Sequence, residues 1–335
     1  MRPAFLPAGL HGSYSACRFT FTSMYYTHVQ PGKVQLSSAH CTAEIWPLQG
    51  ALLNSWQVTL NGQSHALIEG YDDANDFARH AETKGFRSCK LSPYVCRLRQ
   101  ARYQYRQQQY RIGKYMLGDS AIHGLLYDVP FDVILQEAND HLAMVVLRQE
   151  YAGTDAGFPF AYRITVTYTL SQQNRLTLTT EVTNLHHEPM PIADGWHPYF
   201  QLDAPVDELQ LWFASDTTLQ FDEGLLPTGV LEADLRFTQF HPLQGVQLDN
   251  CFLLQDSMDE PVCQLRNAAN GLTLSIFAHD HYPYLQVYTP PHRRSIAIEN
   301  LSAAPDAFNN RMGLIELEPG EQIRFSASYE ASVLL

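Results

Sequence analysis

The chain has 335 residues, of which 45% are hydrophobic, 12% aromatic and 17% charged, a composition that builds a sizeable packed core and excludes intrinsic disorder. Its 35 acidic and 22 basic side chains leave a formal net charge of −13. That field repels nucleic acid and anionic membrane surfaces and makes a neutral small molecule the easiest partner, although a local pair of arginines can override it to hold a phosphate.

Strand patterns dominate the chain from its first readable element onward. Residues 51–60 form the first, closed by Asn61-Gly62. Helical character is weak throughout, and residues 75–83 are the one stretch that could make a turn or two. Residues 143–151 are a further strand. From Phe160 the pattern is clearest: Phe160, Tyr162, Ile164, Val166, Tyr168 and Leu170 share one face, and Arg163, Thr165, Thr167 and Thr169 the other. Ser171-Gln-Gln-Asn174 is a polar turn, after which Leu176, Leu178 and Val182 alternate against Thr177, Thr179, Glu181 and Thr183. The two strands predict a long antiparallel hairpin with one buried face. Shorter strands follow at 208–213, 262–266, 272–278, 284–288, 295–298 and 322–329, with tight turns at Asn270-Gly271 and Glu318-Pro-Gly320. Many strands and few helical periods predict an all-β fold, a large antiparallel β-sandwich. No repeat, low-complexity stretch or linker interrupts it, so residues 1–335 read as one domain.

No run of about 18 apolar residues occurs, so no spanning helix is expected, and the opening MRPAFLPAGLHGSYS lacks the basic-then-apolar layout of a signal peptide. Six cysteines, at positions 17, 41, 89, 96, 251 and 263, are scattered without CxxC spacing. They read as reduced, mostly buried thiols of a cytoplasmic protein.

Polar residues that the strand pattern does not require occur around Ile122-His123-Gly124, Asp194-Gly-Trp196-His197-Pro-Tyr199-Phe200, Leu248-Asp249-Asn250 and Ile296-Ala-Ile298-Glu299-Asn300. Each has a plain structural reading: His123 as a turn histidine, His197 as part of an aromatic core cluster, Asp249 as a turn residue. Glu299 is the odd one. It ends an apolar strand, so its carboxylate must be desolvated or hydrogen-bonded.

In order along the chain, these segments join Ser92-Pro-Tyr-Val-Cys96-Arg97, Phe158-Pro-Phe-Ala-Tyr162, Gln286-Val-Tyr-Thr-Pro290, Asp306-Ala-Phe308-Asn309 and Leu317-Glu-Pro-Gly320-Glu321. The ordered set, covering roughly residues 90 to 330, resembles the aldose 1-epimerase (galactose mutarotase) family. The resemblance implies a β-sandwich with an open sugar cleft and interconversion of the α and β anomers of a free aldohexose. It implies no cofactor and no metal. Carried over residue by residue, Glu299 matches the family's base, His197 its acid, and His123 the histidine that helps polarise the ring oxygen. Arg97 and Asp249 match groups that hold sugar hydroxyls, and Trp196, with Tyr199 and Phe200, is a stacking candidate for the sugar's apolar face.

The chemistry suits these residue types. Opening a cyclic hemiacetal removes a proton from the anomeric hydroxyl and delivers one to the ring oxygen, work for a carboxylate and an imidazole placed on opposite sides of a pyranose. On that reading Glu299 is ionised and His197 able to hold a proton near neutrality. Two departures loosen the sugar specificity: Cys96 stands where the family usually has Asn, and Gly-Trp-His-Pro-Tyr-Phe replaces the Asn-His-x-Tyr-Phe of galactose-specific members. The main alternative is a mutarotase for hexose 6-phosphates, with Arg97, Arg99, Arg293 and Arg294 as suppliers of positive charge. A non-catalytic carbohydrate-binding sandwich is another. A metal enzyme using His186-His187 or His279-x-His281 lacks a third ligand at recognisable spacing.

Overall fold

A computed structural model describes residues 24–255 and 260–333; Cys17 lies outside them. The hairpin forms as its period-two pattern dictates. Tyr162–Ser171 and Leu176–Asn184 alternate buried and half-buried positions along their length, with Leu170 opposite Leu176 and Tyr162 opposite Asn184. The turn between them is a single 3₁₀ turn, with Gln173 in the left-handed region at φ 61°.

This hairpin sits inside a nine-stranded antiparallel sheet. Asp132–Ala138 and Leu142–Tyr151 lie on one side of it. On the other follow Gln322–Val333, Leu272–Asp280, Cys263–Asn267, Leu209–Phe213 and His241–Pro242. The strand Gln322–Val333 pairs with both Leu176–Asn184 and Leu272–Asp280, tying the C-terminal part of the chain into the middle of the sheet. A five-stranded sheet, Tyr25–Gln30 through Gln63–Ala66, adds Val34, Leu36, Ile45, Trp56 and Val58 to the same apolar cluster as Tyr162, Ile164, Val166 and Tyr329.

The second large sheet carries the cleft. Its order is Pro227–Ala233, Thr217–Phe221, Asp249–Leu253, Tyr284–Tyr288, Ile296–Leu301, Gly195–Trp196 and Lys90–Leu91, with Tyr199–Phe200 also paired to Ile296–Leu301. Side chains from both large sheets interleave in one core, as in other sandwiches, which identifies the all-β sandwich expected from the sequence. Among the described residues the one helix longer than a turn is Ala74–His80, capped by the Asp73 side chain.

Glu299 does not end its strand. Ile296–Leu301 continues two residues past it, and all six residues are buried. The five described cysteines are free and buried.

Candidate active site

The position of Glu299 follows from strand register. On one side Gln286 of Tyr284–Tyr288 lies directly opposite it. On the other, Gly195 pairs with Leu301 and Tyr199 with Ala297, which sets the intervening His197 across from Glu299. Directly opposed residues share a face of the sheet. Gln286, Glu299 and His197 therefore form one row across three adjacent strands. The next row holds Asp249, opposite Tyr288, and Tyr199.

These rows form the floor of a cleft of about 740 Å³. His197 Nε2 stands 3.3 Å from Glu299 Oε1, both side chains almost fully buried, and Gln286 Nε2 donates to Asp249 Oδ1 at 2.8 Å. The His197 ring stacks on Tyr199, 5.3 Å between centroids at an interplanar angle of 7°.

His123 reaches the cleft from a separate segment. It follows the short strand Ser120–Ile122, which pairs with Arg97–Leu98, and its N–H donates to the Cys96 carbonyl at 2.9 Å. The left-handed backbone at His123 (φ 60°) and Gly124 (φ 79°) turns the imidazole inward. Only glycine fits at 124, where a Cβ would lie 2.1 Å from the Ser92 carbonyl oxygen. The His123 ring then stands edge-on to both Phe86 and His197, 4.8 Å from each.

Glu299, His197, His123, Arg97 and Asp249 thus all line one cleft, as does Cys96. Trp196 does not. Neighbouring residues on extended backbone face opposite sides of a sheet, so the indole next to His197 points into the core. It is 1% exposed and packs edge-on to Tyr168, with the Lys90 ammonium 4.4 Å from its ring centroid. Lys90 in turn donates to Asp194 at 2.5 Å, and Tyr282 to the same carboxylate oxygen at 2.7 Å. Phe200 is likewise core, against Tyr329, so of the three stacking candidates Tyr199 alone lines the cleft. Trp196→Phe is expected to lower the unfolding free energy by about 1–3 kcal/mol through lost packing, with no change in sugar KM. A raised KM in a protein of unchanged stability would instead place the indole against the ligand.

Burial governs the ionisation of the floor. It pushes the Glu299 carboxyl well above the usual range, and the nearby Asp249 adds to this. It pushes His197 down to about 4 and His123 well below its ordinary value, the latter aided by His197 and Arg97. Asp249 is also raised by burial, opposed by Arg97 and by the Gln286 hydrogen bond. Both shifts run against the expectation of an ionised Glu299 beside a protonated His197, because desolvation in the unliganded cleft disfavours the charged form of each.

Several buried polar atoms here have no hydrogen-bond partner: Glu299 Oε2, His197 Nδ1, His123 Nδ1, Gln286 Oε1 and Arg87 Nε. Unsatisfied buried groups are costly, and five around one cleft mark a surface shaped to meet a polar ligand. Gln286, Tyr288 and Tyr199 belong to this surface; the two tyrosines are aromatic candidates in the sequence, and register, which the sequence does not display, is what brings Gln286 beside Glu299.

The basic residues sort clearly. Arg97 and Arg294 line the cleft. Arg99 is bound to Asp222, and Arg293 to Asp207 and the carbonyls of Val246 and Leu243, and neither arginine lines the cleft. His279 meets Ser328, and His281 the Arg324 carbonyl. Among the described residues, His186, His187 and Glu188 are the group whose ligand atoms lie close enough to share an ion, within 4.8 Å, and none of them lines the cleft.

A two-sheet sandwich thus carries a cleft floored by carboxylate, imidazole and amide groups, a set suited to acid–base chemistry on a polar ligand. The family model "Aldose 1-epimerase" matches residues 32–330, and the chain belongs to that family. It is 27% identical over 241 residues to the uncharacterized protein YihR of Escherichia coli (strain K12), covering 70% of this chain and 75% of that one. Streptococcus thermophilus aldose 1-epimerase is 26% identical over 320 residues, covering 84% and 88%. A galactose mutarotase-like protein from Clostridium acetobutylicum shares the fold at a TM-score of 0.82 and 16% identity, over 92% of this chain and 98% of that one.

Proposed function

We propose that the protein interconverts the α and β anomers of an aldohexose whose anomeric hydroxyl is free, with Glu299 as base and His197 as acid. The observation that carries this reading is the 3.3 Å approach of His197 Nε2 to Glu299 Oε1 at the cleft floor. The two groups lie side by side, not on opposite sides of the ring. That arrangement suits the chemistry better, because the hydroxyl oxygen O1 and the ring oxygen O5 are both bonded to C1.

In the forward step Glu299 takes the O1 proton, the C1–O5 bond breaks and O5 receives a proton from His197, leaving an open-chain aldehyde. Rotation about C1–C2 presents the other carbonyl face. Reclosure returns the O5 proton to His197 and the Glu299 proton to O1, so neither group changes its net protonation over a cycle. In the empty cleft burial favours the neutral pair. Sugar hydroxyls donating to Glu299 Oε2 would favour the carboxylate, and the proton then resides on His197. His123, held neutral, can polarise the ring oxygen. Arg97 and the Asp249–Gln286 pair supply charge-assisted hydrogen bonds to ring hydroxyls.

The test is anomer exchange followed by NMR on freshly dissolved α-glucose, α-galactose and their C6-acidic derivatives. Equilibration should accelerate in proportion to protein concentration. Saturable sugar binding with no acceleration for any of them would make the protein a carbohydrate-binding sandwich without the reaction.

A further inference from the structure

Building on that reading, we infer that the substrate of this cleft carries an anionic group on C6 (a carboxylate, phosphate or sulfonate), held by Arg87 together with Arg294 and His292.

These three side chains and Glu69 line the same cleft as Glu299 and His197. Arg87 is 6% exposed. Its Nη2 lies 3.0 Å from Glu69 Oε1 and its Nη1 donates to the Gly70 carbonyl at 3.3 Å, while Nε is buried without a partner. Arg294 Nη2 approaches the same Glu69 oxygen at 3.5 Å, and His292 Nε2 lies 3.9 Å from the other, which also accepts from the Ser295 hydroxyl. One carboxylate thus faces two permanent cations and an imidazole that can become a third. Asp72, Glu82 and Lys84 line the cleft from the side of the helix Ala74–His80, with Lys84 bound to Asp76 at 2.6 Å. Of the cations on this side, Lys84 thus has a carboxylate of its own, whereas Arg87 and Arg294 share the single carboxylate of Glu69.

Neutral hydroxyls give no reason to bury a guanidinium whose charge is only partly matched. An acidic substituent does, since it completes the charge and can accept from Arg87 Nε. The overall charge of −13 does not prevent this at contact range, because fields from distant surface charges are screened within about 8 Å at physiological ionic strength.

Geometry identifies the carbon that bears the group. The Arg87 guanidinium lies 5.9 Å from the Tyr199 ring centroid, and Tyr199 stacks on the His197 ring. Arg87, Tyr199 and His197 thus run in sequence along the cleft. His197 delivers its proton to O5, and O5 is bonded to C5, the carbon that carries C6. A substituent on C6 therefore emerges on the His197 side of the ring and extends over Tyr199 toward Arg87. Asp249 and Gln286 stand on the opposite side of the Glu299 strand, where they meet the ring hydroxyls.

The experiment compares kcat/KM for anomer exchange of glucose, glucuronate, glucose 6-phosphate and 6-deoxy-6-sulfoglucose in wild type, Arg87→Gln and Arg294→Gln. At least one acidic sugar should exceed glucose by roughly 10- to 100-fold, the value of one or two charge-assisted hydrogen bonds. Which acid leads reports whether the site fits a flat carboxylate or a tetrahedral anion. Both variants should reduce that preference, Arg87→Gln the more. If Arg87→Gln fails to fold, Arg294→Gln, at a side chain 70% exposed, still reports the ratio. Inorganic sulfate and phosphate should also compete with glucose in wild type. Glucose outpacing all three acids, or a preference untouched by the variants, overturns the inference while leaving the epimerase reading intact. No exchange of any sugar would instead count against that reading.

Discussion

Glu299→Gln is expected to slow anomer exchange by about 10²–10⁴-fold, the usual contribution of a general base, in a protein that is at least as stable as wild type at pH 8. The amide preserves shape and can still accept a hydrogen bond, but it cannot hold the O1 proton. Stability should move the other way. The carboxyl is 2% exposed, Oε2 has no partner, and its pKa is raised in the folded protein. A raised pKa contributes stability that is fully present below the unfolded value near 4.3 and is lost as pH rises through the folded value. As pH rises above the unfolded value wild type progressively loses that contribution, whereas glutamine does not titrate and loses nothing. Calorimetry at pH 8 beside NMR exchange rates checks both halves. A folded variant with more than a tenth of wild-type activity would remove Glu299 from the mechanism.

The parts of this site that sequence could reveal are those set by local pattern. The hairpin from Tyr162 to Asn184 was legible because alternation of apolar and polar residues is enforced by burial of one face. Glu299 stood out as a carboxylate within an apolar run, and its burial at the floor of the cleft is the physical form of that oddity. The facing of His197 and Glu299 was not legible, since it depends on pairing between strands about a hundred residues apart. Trp196 was misjudged for a reason that was available: on extended backbone it cannot share a face with His197. Arg87 and Glu69 carried no local signal at all. They come from the chain's first 90 residues, where no motif marks them, and they acquire meaning only once Tyr199 bridges Arg87 to His197.

His197→Asn should also lose about 10²–10⁴-fold in exchange rate, because an amide cannot deliver a proton to O5. Its second effect reports how strongly burial disfavours the charged imidazole. Burial lowers the folded pKa of His197 to about 4, against an unfolded value near 6.5. A depressed folded pKa gives stability that is present above the unfolded value and is lost as pH falls through the folded one, because the unfolded chain takes up the proton first. Between pH 6.5 and 4 wild type should therefore lose roughly 2–3 kcal/mol from this residue alone, at about 1.4 kcal/mol per pH unit. His123 adds a loss of the same sign that the variant retains. Urea unfolding at pH 7.5 and pH 4.5 should accordingly show a smaller acid-induced loss in His197→Asn than in wild type. Equal losses would mean that burial does not depress the His197 pKa below its unfolded value, and a smaller loss in wild type would mean that the folded protein holds the His197 proton at neutral pH before sugar enters the cleft.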